Sequence, residues 1–485
     1  MLQLPSLARP EFADRRTRLA LATAVLGGLI VAFVYAIGTG DLRLTAIVGF
    51  VAVAPALLVL ALKRSYLFPY GLYVVLVPFD NMLKIGGTGT LTKMLGIAST
   101  FFVIVYVLRR KGLNPPPLSF YLWCAYLGWL LLSLMWSSDA SNGMVDLQQI
   151  LSLVAMYAVL AIAPVGERDV RAVCACIILG GIAASLYGMY LLHESPVAVG
   201  GDYGRIMINV DNRTIDPNHF ANSMLAPLAL TLIALLNARK PAAILGSVIA
   251  LGVLMSGILM SLSREALLAC VVIVIVTVLF SKRRAIGLAI AVPVLVAVPM
   301  LVPAIGVRMS EAASTGGAGR SSIWAVGWLA FQQHPWFGWG SGSFTEAYNR
   351  YYLQVFQVYN AGWNRASHNT LIHAAVELGI VGAILMAAAF VTTFRQMRTI
   401  HRGDPMWDLR VAFTAALVGL GLTALFIDLA NYKYLWIVLC TVAQIRTVAR
   451  SSAPVAMQPP IPRVVPPLRP RPFASNPSRR LHTPT

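Results

Sequence analysis

The chain has 485 residues, 58% of them hydrophobic and only 12% charged, with a mean hydropathy of +0.72. Soluble domains carry about a quarter charged residues, so composition excludes a soluble enzyme, a disulfide-built secreted domain and a disordered chain, and leaves a polytopic membrane protein. The formal charge of +19 suggests nucleic acid only if topology does not account for it.

In chain order, a basic tail over 1–18 with Arg9, Arg15, Arg16 and Arg18 precedes the first apolar stretch. Stretches long enough to cross the hydrocarbon core run over 19–37, 44–62, 66–82, 91–108, 119–136, 146–164 and 170–192. They continue over 219–237, 241–260, 264–280, 285–304, 368–391, 410–427 and 430–447. Pro69, Pro78 and Gly96 interrupt 66–82 and 91–108, which makes these the weakest spans, with a tilted or re-entrant element as the alternative. Every second connection is basic: Lys63-Arg64, Arg109-Arg110-Lys111, Arg168 with Arg171, Arg239-Lys240, Lys282-Arg283-Arg284, and Arg395 to Arg410. That alternation is the positive-inside pattern with both termini cytoplasmic. It absorbs most of the positive charge, so no nucleic-acid partner is expected. The first apolar stretch reads as a signal anchor. The transmembrane domain is expected over 19–447, and the Pro- and Arg-rich residues 448–485 as a disordered cytoplasmic tail. The five cysteines, all inside apolar runs, read as small core residues.

Two outer connections are long, 193–218 and 305–367. In the second, Ile323, Trp324, Gly327, Trp328 and Phe331 share one side of a 3.6-residue wheel, which predicts an amphipathic helix at the membrane surface. His334-Pro335 and Gly338 to Gly342 end it, and a second helical stretch is expected from Thr345 to Tyr359.

The spans are nearly free of ionisable residues, whereas coupled transporters keep charge near mid-membrane. Chemistry is therefore expected at the outer face. The informative residues are the arginines that run against the sorting rule there, among them Arg205, Arg213, Arg264 and Arg320. A guanidinium binds phosphate through two parallel hydrogen bonds and keeps its charge. Pairing with Asp202, Asp211, Asp216 or Glu265 is the structural alternative for each. Asp216 or Asn218 is placed to cap the helix that Pro217 opens. His368, at the start of a span, is a candidate general base near neutral pH, or an interfacial hydrogen-bonding histidine. Asn369 follows it, and His373 and Glu377 share one helix face as a structural or catalytic pair. Five of the ten tryptophans lie in 320–365, as interfacial anchors or sugar-stacking rings. No metal-ligand cluster, phosphate loop or dinucleotide motif is present, so a reaction without metal or cofactor is expected.

Four pieces of sequence resemble the O-antigen ligase and O-antigen polymerase family of bacterial glycan-transfer membrane proteins. They are Gly204-Arg205 leading to Asp216-Pro217-Asn218; Ser263-Arg264-Glu265; Gly319-Arg320 through His334-Pro335 to Gly338-Trp339-Gly340; and Ser367-His368-Asn369-Thr370 with Glu377-Leu378-Gly379. The resemblance implies an all-α polytopic membrane protein of about 12–14 helices, with glycosyltransferase C-type architecture and a large helical periplasmic loop. It implies a bacterial inner-membrane enzyme that moves a glycan from undecaprenyl pyrophosphate to a hydroxyl of lipid A-core. Arg205, Arg264 and Arg320 would bind the pyrophosphate and His368 would activate the acceptor. A polymerase, whose acceptor is another lipid-linked repeat, is the nearest alternative, and a lipid-linked glycan transporter the second.

Overall fold

The computed structural model describes residues 66–82, 90–109, 112–194, 208–210, 213–281, 319–356 and 363–452. The expected spans 19–37, 44–62 and 285–304, both tails beyond 452 and before 66, and Arg205 lie outside these residues.

The protein is an all-α polytopic membrane protein. Among the described residues, seven helical stretches are long and apolar enough to cross a membrane: Leu91–Arg109, Leu118–Trp136, Ala140–Ile162, Glu167–His193, Pro217–Asn237, Pro241–Ser261 and Thr370–Thr399. In chain order the helices are α1 (Tyr70–Leu76), α2 (Leu91–Arg109), α3 (Leu118–Ser133), α4 (Ala140–Ile162), α5 (Glu167–Glu194), α6 (Pro217–Ser223), α7 (Leu225–Asn237), α8 (Pro241–Ser261) and α9 (Arg264–Phe280). After them come α10 (Arg320–Gln333), α11 (Phe344–Tyr351), α12 (Leu353–Phe356), α13 (Thr370–Gln396), α14 (Trp407–Thr423) and α15 (Lys433–Ser452).

Several expectations need correction. The stretch 66–82 is no full span: α1 starts after Pro69 and passes at Val77 into a 3₁₀ turn that contains Pro78. Both prolines lack the N–H that a continuous α-helix needs. The neighbouring stretch, also rated weak, is a complete helix, because Gly96 alone lowers helix propensity without breaking it. The span at 219–237 is jointed at Met224, between α6 and α7. The last helix runs to Ser452, past the expected start of the tail. The connection after α5 contains a short antiparallel hairpin, Ile208–Val210 (β1) with Arg213–Ile215 (β2), in which Val210 opposes Arg213.

Most helices share one core, centred on Trp123, Tyr157 and Trp436. α9 lies along α14, and α3 along α13. The large outer connection has a second, separate core. Ile323, Val326 and Ala330 of α10, Trp339, and Phe344, Ala347 and Tyr348 of α11 close over Val376 of α13. This corrects the surface-helix expectation: α10 exists, but its buried side is Ile323, Val326, Gly327 and Ala330, while Trp328 is exposed. The wheel identified a helix; protein on both sides of it, from α13 and α11, decided which face is buried.

Candidate active site

α13 carries the joint that fixes the outer connection. At Gly379 the backbone leaves the helix with φ 66° and ψ −171°, a region essentially restricted to glycine. The carbonyls released by this break find partners from elsewhere. Val376 accepts from the Trp339 N–H at 2.9 Å, Glu377 from the Gly340 N–H at 2.8 Å, and Leu378 from the Trp129 indole at 2.9 Å. The Ile380 N–H donates to the Pro335 carbonyl at 2.8 Å. A side chain at Gly338 would meet the Glu377 carbonyl at 2.3 Å. Two motifs far apart in sequence, Gly338-Trp339-Gly340 and Glu377-Leu378-Gly379, are therefore the two halves of one interlock.

Just before α13, His368 takes the left-handed conformation, φ 46°, a strained state for a side chain with Cβ. Its neighbours hold it there. The Asn369 side chain caps α13 by accepting from the N–H groups of Leu371 and Ile372, both at 2.9 Å, and donates to the Leu425 carbonyl. The Thr370 hydroxyl donates to the Ile427 carbonyl at 2.8 Å. The Trp324 indole donates to the Ser367 carbonyl at 3.2 Å.

Several expected site residues lie within electrostatic reach of this histidine. Arg320, at the first turn of α10, ion-pairs with Glu265, at the first turn of α9, at 3.4 Å. Glu265 is only 5% exposed. Arg264 begins α9 and is half-buried. Asp216 caps α6, accepting from the Asn218 N–H at 2.7 Å, as the sequence indicated. Burial and the Arg320 charge hold the His368 imidazole below its ordinary pKa, against the pull of Asp216 and Glu265; Arg365 adds to the depression. Those influences mean that all four side chains lie within electrostatic reach of His368. Two helix N-termini, of α9 and α10, add positive ends to the two arginines. Arg213 lies in β2, and its side chain is outside the description.

A second group adjoins the first. His373 Nε2 lies 3.4 Å from Glu377 and Nδ1 lies 3.4 Å from Asp428. Its ring stacks on Phe344, and its Nδ1 is 3.4 Å from the Ser367 hydroxyl. Glu377 also accepts the Phe344 N–H at 3.0 Å, at the start of α11. The His373–Glu377 pair was expected. Asp428 and Asp146 were not, because they sit in other elements, and only the acid's rarity in apolar sequence marked them. His219, also outside the expected set, stacks on Tyr432 and bonds Tyr434 at 3.2 Å. Lys433, another outer base, is taken up by Asp80. An apolar groove of about 320 Å³ runs between α10 and α13, lined by Gly327, Trp328, Phe331, Leu371, Ile384 and Ala387.

Residues 249–387 match the family model described as O-antigen ligase (Wzy_C). This stretch is similar to the O-antigen ligase family. It includes the Arg264 and Glu265 turn, the whole outer connection and the helix break of α13. No curated protein matches the chain. Similarity to that family implies glycan transfer in a membrane, with lipid-linked glycan substrates.

Proposed function

We propose that the protein is an O-antigen ligase-like glycosyltransferase. It moves a glycan from undecaprenyl pyrophosphate to a hydroxyl of lipid A-core at the periplasmic face of the bacterial inner membrane. The observation that supports this reading is the Arg320–Glu265 ion pair, which joins the first turns of α10 and α9, with His368 in electrostatic reach of both and of Asp216.

In this reading Arg320 and Arg264, with Arg205, stabilise the negative charge that builds on the leaving pyrophosphate. His368, kept neutral by burial and by Arg320, takes the proton from the attacking hydroxyl. The hydroxyl oxygen attacks the anomeric carbon as the bond to the phosphate oxygen breaks, so a single displacement inverts the configuration. The pyrophosphate ester carries the driving force, and neither nucleotide nor metal takes part.

The test is transfer by purified protein from a defined lipid-linked donor to lipid A-core, with and without chelator. His368→Ala and Arg264→Ala are each expected to abolish transfer while the protein still accumulates in the membrane. Full activity in either removes that residue's role. Loss of the gene leaves lipid A-core uncapped; a core capped with a single repeat would instead mark a polymerase.

A further inference from the structure

The second group of side chains borders a cavity of about 260 Å³ between α4, α11, α13 and the turn that follows α14. Its polar lining includes Asn142, Asp146, Ser367, His373, Glu377 and Asp428. A smaller chamber of about 20 Å³ shares Asp146, His373, Glu377 and Asp428, and adds Ser341 and Asn431. That volume takes about one water or one hydroxyl group. The Ser341 hydroxyl is fully buried there and has no hydrogen-bond partner, a costly state for a polar group unless a ligand or water meets it.

We propose that this cavity is a subsite for one hydroxyl-rich, non-acidic sugar residue, amine-bearing by preference, held by Asp146, Glu377 and Asp428. The assignment rests on the glycan-transfer reading above and gives it a substrate class. Three carboxyl groups face a single imidazole, so the site carries excess negative charge or excess acceptor capacity. Each carboxylate oxygen accepts two hydrogen bonds, and the internal contacts use only part of that capacity: Asp146 accepts from the Asn431 amide at 3.0 Å, Glu377 from the Phe344 N–H at 3.0 Å and Asp428 from the Ala430 N–H at 3.3 Å, and Asp428 and Glu377 each approach His373. Sugar hydroxyls donate to such oxygens, and an ammonium does so with charge assistance. A carboxylated or phosphorylated sugar meets repulsion. Ser367 lines the cavity, and the next residue, His368, belongs to the arginine cluster.

The test is saturation-transfer NMR on the purified full chain in nanodiscs, with glucosamine, glucose and glucuronic acid as probes. Glucosamine is expected to bind most tightly and glucuronic acid at least about tenfold more weakly, a difference of about 1.4 kcal/mol. The double substitution Asp146→Asn with Asp428→Asn is expected to erase this order. Equal binding of the three sugars to the unaltered protein overturns the proposal without recourse to any variant, as does an order that survives the double substitution. Transfer by His368→Ala is measured in parallel. Its loss without any sugar preference refutes only the subsite, and full transfer with the preference intact refutes only the assigned base.

Discussion

His368 works in this scheme only as a neutral ring, and its surroundings favour that form. Burial and Arg320 outweigh Asp216 and Glu265, so protonation is displaced to lower pH than for a free imidazole. Transfer should therefore persist below the usual histidine range and fail as pH drops through the depressed value. Arg320→Gln removes the principal depressing charge while both carboxylates stay, so the His368 titration should move to higher pH. Histidine NMR titration reads this directly, which matters because the same substitution weakens donor binding; an unmoved titration would detach Arg320 from the ring. Asn369 acts on His368 through the backbone. Asn369→Ala removes the α13 cap, at about 0.5–2 kcal/mol, and should cut turnover as His368 loses its held conformation, with Asn369→Asp restoring both stability and rate. Thermal melts and transfer rates on the three proteins check it. Arg264 and Arg320 were legible in sequence as charges on the wrong side for their type, Asp216 as a helix cap and His368 as a base at the head of a span. Asp146 and Asp428 were not legible as a site, because nothing local links positions so far apart to His373.

At the scale of elements, the break in α13 is the decisive piece. Hydropathy gives an unbroken span over 368–391, and one glycine in such a run is ordinary. Only the incoming Trp336 to Gly340 loop explains it, since a Cβ at Gly379 would lie 2.2 Å from the Trp336 carbonyl. Gly379→Ala combines that clash with a conformation costing about 1–3 kcal/mol for other residues. It should lower the melting temperature by several degrees and reduce transfer, whereas Gly246→Ala, which meets nothing within 4 Å, should do neither. Differential scanning fluorimetry in detergent separates the two. The motif pieces were visible in sequence; their mutual fit was not, because hydrogen bonds between a loop and a broken helix leave no periodic signal. The same limit applies to α10, where the wheel gave the helix and tertiary packing chose its buried face.

For the whole molecule, the alternation of basic connections predicts that 305–367 and the C-terminus lie on opposite sides of the membrane. A fluorescent-protein fusion after Ser452 should be bright, and an alkaline phosphatase fusion at Trp336 active; the reverse pattern would invert the molecule and move the site to the cytoplasm. The membrane class and most described spans followed from apolar length alone, which the bilayer enforces. The β1–β2 hairpin and the short α1 escaped that reading, since neither has the length or the period that hydropathy detects.

The interlock at Gly379 also limits which parts can move. A flap over the cavity that lifted to admit cargo would have to surrender the bonds from Trp339, Gly340 and Trp129 and unravel part of a membrane helix. Under the proposed function, the apolar groove between α10 and α13 is the route for a lipid-borne chain, and a cross-link from Pro335 to Ile380 is expected to leave turnover intact.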